Sequence, residues 1–164
     1  MTTLHITPCE PADYDAIDRL TARAYAPSGF AADDPYFIEI LNVAQRAQQA
    51  LVLVARQTGV PVGTLTCALP GSIWQEIARA DEAELRILAV TPEQQRQGIG
   101  SALIRASAEY ARRTGCTALV LSSAAWMTAA HHLYQRLGFR HTPERDWQPR
   151  ADVYLATYRL ELNP

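Results

Sequence analysis

The chain has 164 residues, 48% of them hydrophobic and 20% charged, which is enough apolar material for one globular α/β domain over residues 1–164. A formal net charge of −2 leaves no surplus of Lys and Arg to neutralise a phosphate backbone, so nucleic acid is not an expected partner. No apolar run reaches the roughly 18–20 residues that span a bilayer, and the start, MTTLHITPCEPADYD, lacks a basic stretch followed by an apolar one; a cytoplasmic protein with no membrane partner is expected.

Residues 3–8 alternate as a short strand, and PADYDAIDRLTARAY then sets Tyr14, Ile17, Leu20, Ala24 and Tyr25 on one helical face. The turn-rich APSGFAADDP breaks that pattern before helical spacing returns over Tyr36 to Gln49. ALVLVARQ and VPVGTLTCAL, rich in β-branched residues and joined at Thr58-Gly59, predict an antiparallel hairpin. Residues 70–82 have no clean period and are read as an irregular loop or short helical piece that can shape a site. AELRILAV and TALVLSS read as buried strands on either side of the helical QGIGSALIRASAEYARRTG. TAAHHLYQRLGF is a last helix closed by Gly138, and VYLATYRLEL alternates as a terminal strand. Cys9, Cys67 and Cys116 are odd in number and never spaced as CxxC, which excludes a disulfide framework or a cysteine zinc site.

The most informative stretch is LAVTPEQQRQGIGSAL, a strand that passes through a polar turn and two glycines directly into a helix. Gly98 and Gly100 allow close backbone approach, and the unpaired N–H groups of the new helix make an anion cradle suited to a pyrophosphate. The dinucleotide pattern GxGxxG fails at Leu103, and no GK[ST] follows.

Gln95-Arg96-Gln97-Gly98-Ile99-Gly100 resembles the Q/R-x-x-G-x-G/A signature of the GNAT superfamily of N-acetyltransferases. LAVTP resembles the strand and turn before that signature, and LYQRLGF resembles the superfamily's last helix and turn. The resemblance implies a mixed, mostly antiparallel sheet of six to seven strands with helices on both faces, and acetyl-coenzyme A (acetyl-CoA) as co-substrate. It implies cofactor contacts at Gln95, Arg96, Gln97, Gly98, Ile99, Gly100 and Ser101, and a pantetheine arm along Leu88, Ala89 and Val90. The Leu88 amide matches the position that polarises the thioester carbonyl; a fixed donor aimed at charge that develops only during transfer lowers a barrier by roughly 3–4 kcal/mol. Tyr134 matches the tyrosine that many members place near the sulfur, as acid or hydrogen-bond donor.

Alkylamines are mostly protonated near pH 7, so the acceptor must lose a proton, and Glu84 is the candidate general base. A glutamate at that strand position has this role in some members of the superfamily; the competing reading is a solvated carboxylate beside Asp81 and Glu82. The expected acceptor is a primary amine on a small molecule, attacked directly in a ternary complex. A protein N-terminus or lysine, and a non-catalytic acyl-CoA-sensing module, are the alternatives. The resemblance also carries the expectation of a homodimer, with VYLATYRLEL as a candidate edge.

No metal site is expected. His131 and His132 point about 100° apart on a helix and are read as a surface face, while His5 and His141 stand alone. Ser122 and Ser123 end a strand without the GxSxG elbow of a nucleophile. Trp126 and Met127 stand where many members carry a polar residue.

Overall fold

The computed structural model describes residues 2–163. In chain order the elements are β1 (Leu4–Pro8), α1 (Tyr14–Tyr25), α2 (Pro35–Ile40), α3 (Val43–Arg46), β2 (Leu51–Gln57), β3 (Val60–Ala68) and β4 (Glu82–Val90). The second half follows with α4 (Ile99–Arg113), β5 (Ala118–Ala124), α5 (Thr128–Arg136), β6 (Arg140–His141), β7 (Trp147–Arg150) and β8 (Val153–Glu161). Among the described residues the sheet has eight strands rather than six or seven, in the order β1-β2-β3-β4-β5-β8-β6, with β7 also on β8, and only the β4–β5 pair is parallel.

The two extra strands come from RHTPERDWQPR, where short polar segments pair because the long β8 beside them leaves backbone groups to satisfy. They occupy the edge of β8 away from β5, so of the two readings of the terminal strand, an interface edge or an edge covered within the chain, the second is the one seen.

The β2–β3 hairpin turns at Thr58 (φ 47°) and Gly59 (φ 80°), the two positive φ angles of a tight turn matched to strand twist. Tyr36 to Gln49 forms two short helices instead of one, because Asn42 caps α3 by accepting from the Gln45 amide. The α4 helix buries Ile99, Leu103, Ile104 and Ala108 against β2, β3 and β4 in the larger core. Its close approach depends on Gly63 of β3, where a Cβ would lie 2.8 Å from the Ile99 Cγ2. A separate apolar cluster of Ile40, Ala68, Trp74 and Ile87, packed with Tyr25, Tyr36 and Phe37, fills another part of the fold. Cys9, Cys67 and Cys116 are free thiols. Among the described residues no helix is long and apolar enough to cross a membrane.

Candidate active site

The strands β4 and β5 pair over three residues only, Glu82–Glu84 against Ala118–Val120, and then diverge. Beyond that seam β4 bulges: its register on β3 jumps from Arg86 to Ala89, so Ile87 and Leu88 have no partner there, and Ile87 takes φ 57°. A left-handed conformation at a β-branched residue costs about 1–3 kcal/mol and is characteristic of functional positions. The fork holds a cavity of about 620 Å³ with Glu84, Leu88, Leu121, Ser123 and Tyr134 in its wall. Of the three strand positions expected along the pantetheine arm, Leu88 lines the cavity, whereas Ala89 and Val90 pair with Thr64 and Gly63.

The glycine loop lies at one end of this fork, where Leu88 approaches Gly100. Thr91 leads into a 3-10 turn at Pro92–Gln94, and Arg96 (φ 63°) and Gly98 (φ 82°) then reverse the backbone ahead of α4. Such reversals turn successive N–H groups to one side, into an anion-binding concavity continuous with the helix N-terminus. Gln95 and Gln97 shape the loop, donating to the Val90 and Glu93 carbonyls at 3.3 and 3.4 Å. An ion pair from Arg23 to Glu93 ties the loop to α1. Gln95, Arg96, Gln97 and Gly98 are exposed, and a Cβ on Gly98 would meet nothing within 4 Å. Gly100 differs: its Cβ would come within 3.3 Å of Leu133, so its smallness seats α5. Ile99 turns into the core. Ser101 stands in the first turn of α4. A cradle open at Gly98, leading into a fork of unpaired strand, fits a pyrophosphate with an amide-bearing arm.

Glu84 is not the solvated carboxylate of the alternative reading. It is 2% exposed, and its Oε2 accepts from the amides of Glu76, Ile77 and Ala78 at 2.7, 3.0 and 3.2 Å. Burial raises its pKa above the ordinary range, against the pull of those three amides. Oε1 makes no hydrogen bond to the described residues. Tyr134, also in the cavity wall, packs against Phe139 and Tyr158 with ring centroids 5.7 and 5.9 Å apart. Burial, then the Tyr158 and Tyr36 hydroxyls, push its pKa up to about 12.

Strand alternation separates the two groups. Leu119, Leu121 and Ser123 face α4 and α5, the side of Tyr134, while Val120 and Ser122 face the other way, where Val120 pairs with Glu84 and Ser122 accepts from the Trp147 indole at 2.9 Å.

The sequence reads Tyr25 and Tyr36 as core or staple aromatics, with an acceptor pocket as the other reading, and in the structure both line the cavity together with Glu39 and Glu76, which the sequence does not single out. Arg86 pairs with Glu76 and lies 5.4 Å from the Trp74 ring centroid; Arg46 lies 5.8 Å from the same centroid. Glu82, 1% exposed, accepts two bonds from Arg145 (2.8 and 3.0 Å), one from Arg159 (3.1 Å) and one from the Arg79 amide (2.9 Å). Arg145 also donates to the Ile77 carbonyl, so Glu82 and Glu84 together hold the loop of residues 70–81 that brings Glu76 to the cavity. His131, read as a surface residue, is half-buried with Nε2 3.1 Å from the Ser123 hydroxyl. Only a search for polar residues one helical turn from a strand end would have flagged it.

Comparison with known proteins agrees with this geometry. The model of the acetyltransferase (GNAT) family matches residues 14–139. N-acetyltransferase family 8 member 3 of Rattus norvegicus is 34% identical over 91 residues, 56% of this chain and 39% of that protein. The [ribosomal protein bS18]-alanine N-acetyltransferase of Escherichia coli K12 is 40% identical over 73 residues, 44% of this chain and 49% of that protein. These matches therefore span about half or less of the relatives' own length. A GNAT-family acetyltransferase from Brucella melitensis, crystallised in complex with acetyl-CoA, aligns over 99% of this chain and 90% of its own, with a TM-score of 0.63 and 26% identity. With its forked sheet, its glycine cradle and a family match over most of its length, the chain belongs to the acetyltransferase (GNAT) family, whose co-substrate is acetyl-CoA.

Proposed function

We propose that this chain transfers the acetyl group of acetyl-CoA to the α-amine of a protein or peptide N-terminus, by direct attack in a ternary complex. The observation that carries the reading is the placement of Glu84 and Tyr134 in the wall of one cavity, on opposite sides of the forked sheet. An amine approaching from the Glu84 side meets its proton acceptor there, and a thiol departing toward Tyr134 meets a hydrogen-bond donor.

Acetyl-CoA supplies the acetyl group as a thioester. The open cradle from Gln95 to Gly98 with the start of α4 holds its phosphates, and Leu88, out of register on the bulge, contributes the backbone donor to the carbonyl. Glu84 takes the ammonium proton through Oε1 while Oε2 stays fixed by the loop amides. Tyr134 keeps its proton: with a pKa of about 12 against about 8.5 for a thiol, full transfer would run roughly 5 kcal/mol uphill. Its hydroxyl therefore donates a hydrogen bond without ionising, and Tyr134→Phe is expected to lower kcat about tenfold without abolishing turnover, with steady-state kinetics as the check.

The protein acceptor replaces the small amine expected from the sequence. It is supported by the bS18-alanine enzyme among the relatives, and by the carboxylates Glu39 and Glu84 in the cavity wall, which suit a cationic N-terminus beside the Arg86–Glu76 pair. Mass spectrometry of acetyl transfer to peptides with free N-termini, N-blocked lysine peptides, polyamines and small amines tests this. Preferential modification of α-amines is expected; transfer only to small amines restores the small-molecule acceptor, and CoA binding with no product at all turns the reading to an acyl-CoA sensor.

The cradle has its own test. Gly98→Glu puts a carboxylate at a helix N-terminus shaped for anions, and is expected to weaken CoA binding at least tenfold by calorimetry. Gly98→Ala shares the backbone strain at φ 82° without the charge, and is expected to bind CoA more tightly than the Glu variant.

A further inference from the structure

We propose that the Ser123 hydroxyl and the His131 imidazole form a proton relay that supplies the leaving thiol from solvent. The inference rests on the acetyltransferase reading above. Ser123 is 4% exposed, belongs to the cavity wall and points to the Tyr134 side of β5. The His131 Nε2 lies 3.1 Å from its Oγ. The other ring nitrogen of His131 makes no hydrogen bond to the described residues, and the half-buried ring sits on a helix whose next residue, His132, is exposed. The pair thus runs from the cavity wall to the half-buried imidazole on α5.

Chemistry gives the pair a task. The Tyr134 hydroxyl bonds to no described group that could return a proton to it, whereas the Ser123 hydroxyl has His131 beside it, and Glu84 collects the amine proton on the opposite side of the sheet. As the thioester C–S bond breaks, the sulfur takes the bonding electron pair and the Ser123 hydroxyl proton while Ser123 Oγ takes the Nε2–H proton of His131 in the same motion, so that no serine alkoxide forms. The imidazole ring takes a proton from solvent at its other nitrogen. No proton is left over and no covalent serine adduct forms. The groups facing the ring are the Ser123 hydroxyl from β5 and the Tyr158 ring from β8, 5.3 Å away. Tyr134 lies on the same helix, and His141, bonded to Asp146, packs on Tyr158.

His131→Ala and Ser123→Ala are each expected to lower kcat about tenfold or more with CoA affinity unchanged, while His132→Ala has no effect. A ring that merely packs on Tyr158 and one that delivers protons are separated by adding imidazoles of equal size and different pKa to His131→Ala. A relay requires the restored rate to vary with that pKa. Equal restoration by all of them, a loss with no restoration, or no loss at all overturns the proposal. A second readout needs no turnover: in the protein free of cofactor, Ser123→Ala is expected to move the His131 ring-nitrogen resonances, and unmoved resonances overturn the pairing itself. A wild-type chain that acetylates nothing defeats the acetyltransferase reading instead, while the resonance test still decides whether the pair exists.

Discussion

Glu84→Gln is expected to reduce kcat/KM for acetyl transfer about a hundredfold while leaving the folded protein at least as stable as the wild type at pH 7. The amide oxygen of glutamine accepts the three N–H groups of residues 76–78 in place of Oε2, so the loop keeps its anchor and only the proton acceptor is lost. The stability half of the result follows from the sign of the pKa shift. Burial holds the Glu84 pKa above its unfolded value, so folding favours the protonated carboxyl, and stability falls as pH rises through the folded pKa. At pH 7 the ionised side chain therefore costs folding free energy, and its neutral isostere does not. Rates across pH and a thermal melt check both halves. A variant with full activity would place the base elsewhere, and one with low activity and a much lower melting temperature would make Glu84 a loop anchor only.

Glu82→Gln is expected to have the opposite signature, with a loss of about 3 kcal/mol at pH 7 and a melting temperature lower by about 6–12 °C. Two arginines and one amide converge on this carboxylate. Their hydrogen bonds, led by those of Arg145, outweigh the burial that opposes ionisation and bring its pKa down to about 2. A depressed pKa contributes stability that is complete above the unfolded value near 4.5, and that is lost as pH falls from there toward 2. The wild type should lose roughly 3 kcal/mol across that window, and the variant should lose much less. Chemical denaturation at pH 7, 4 and 2.5 reads the difference; parallel curves for the two proteins would mean that the arginines contribute little.

Local patterns in the chain were sufficient for most of the scaffold. Period-2 and period-3.6 spacing located the β2–β3 hairpin, α4, β5 and α5, and Gly115 and Gly138 stop their helices with φ of 84° and 96°. The glycine cradle was legible because its chemistry is local: the residues that bend the loop and those that open it are neighbours in sequence. The charged part of the cavity wall was not. Glu39, Glu76 and Arg86 come from separate elements, and each alone reads as a surface charge. Glu82 and Glu84 show the same limit in sharper form. Glu82 looked like a strand-end carboxylate and Glu84 like either that or a base, and their burial became visible only with Arg145, Arg159 and the loop amides, up to 77 residues away in sequence. The strands β6 and β7 escaped notice because two polar residues and a Pro-containing tetrapeptide carry no alternation to read.

The short parallel seam between β4 and β5 has a consequence for how this protein can change. Within its three residues on β4 lie both Glu82 and Glu84, one clamped to the second half of the chain and the other committed to the cavity. On the proposed mechanism, the acid limit of folding and the pH at which the amine gives up its proton are thus governed from positions two residues apart on a single strand. A substitution at Ala83 that tilts this strand disturbs both at once. Adaptation to a more acidic or more alkaline setting is therefore easier through residues remote from the seam, where tolerance and turnover can shift one at a time.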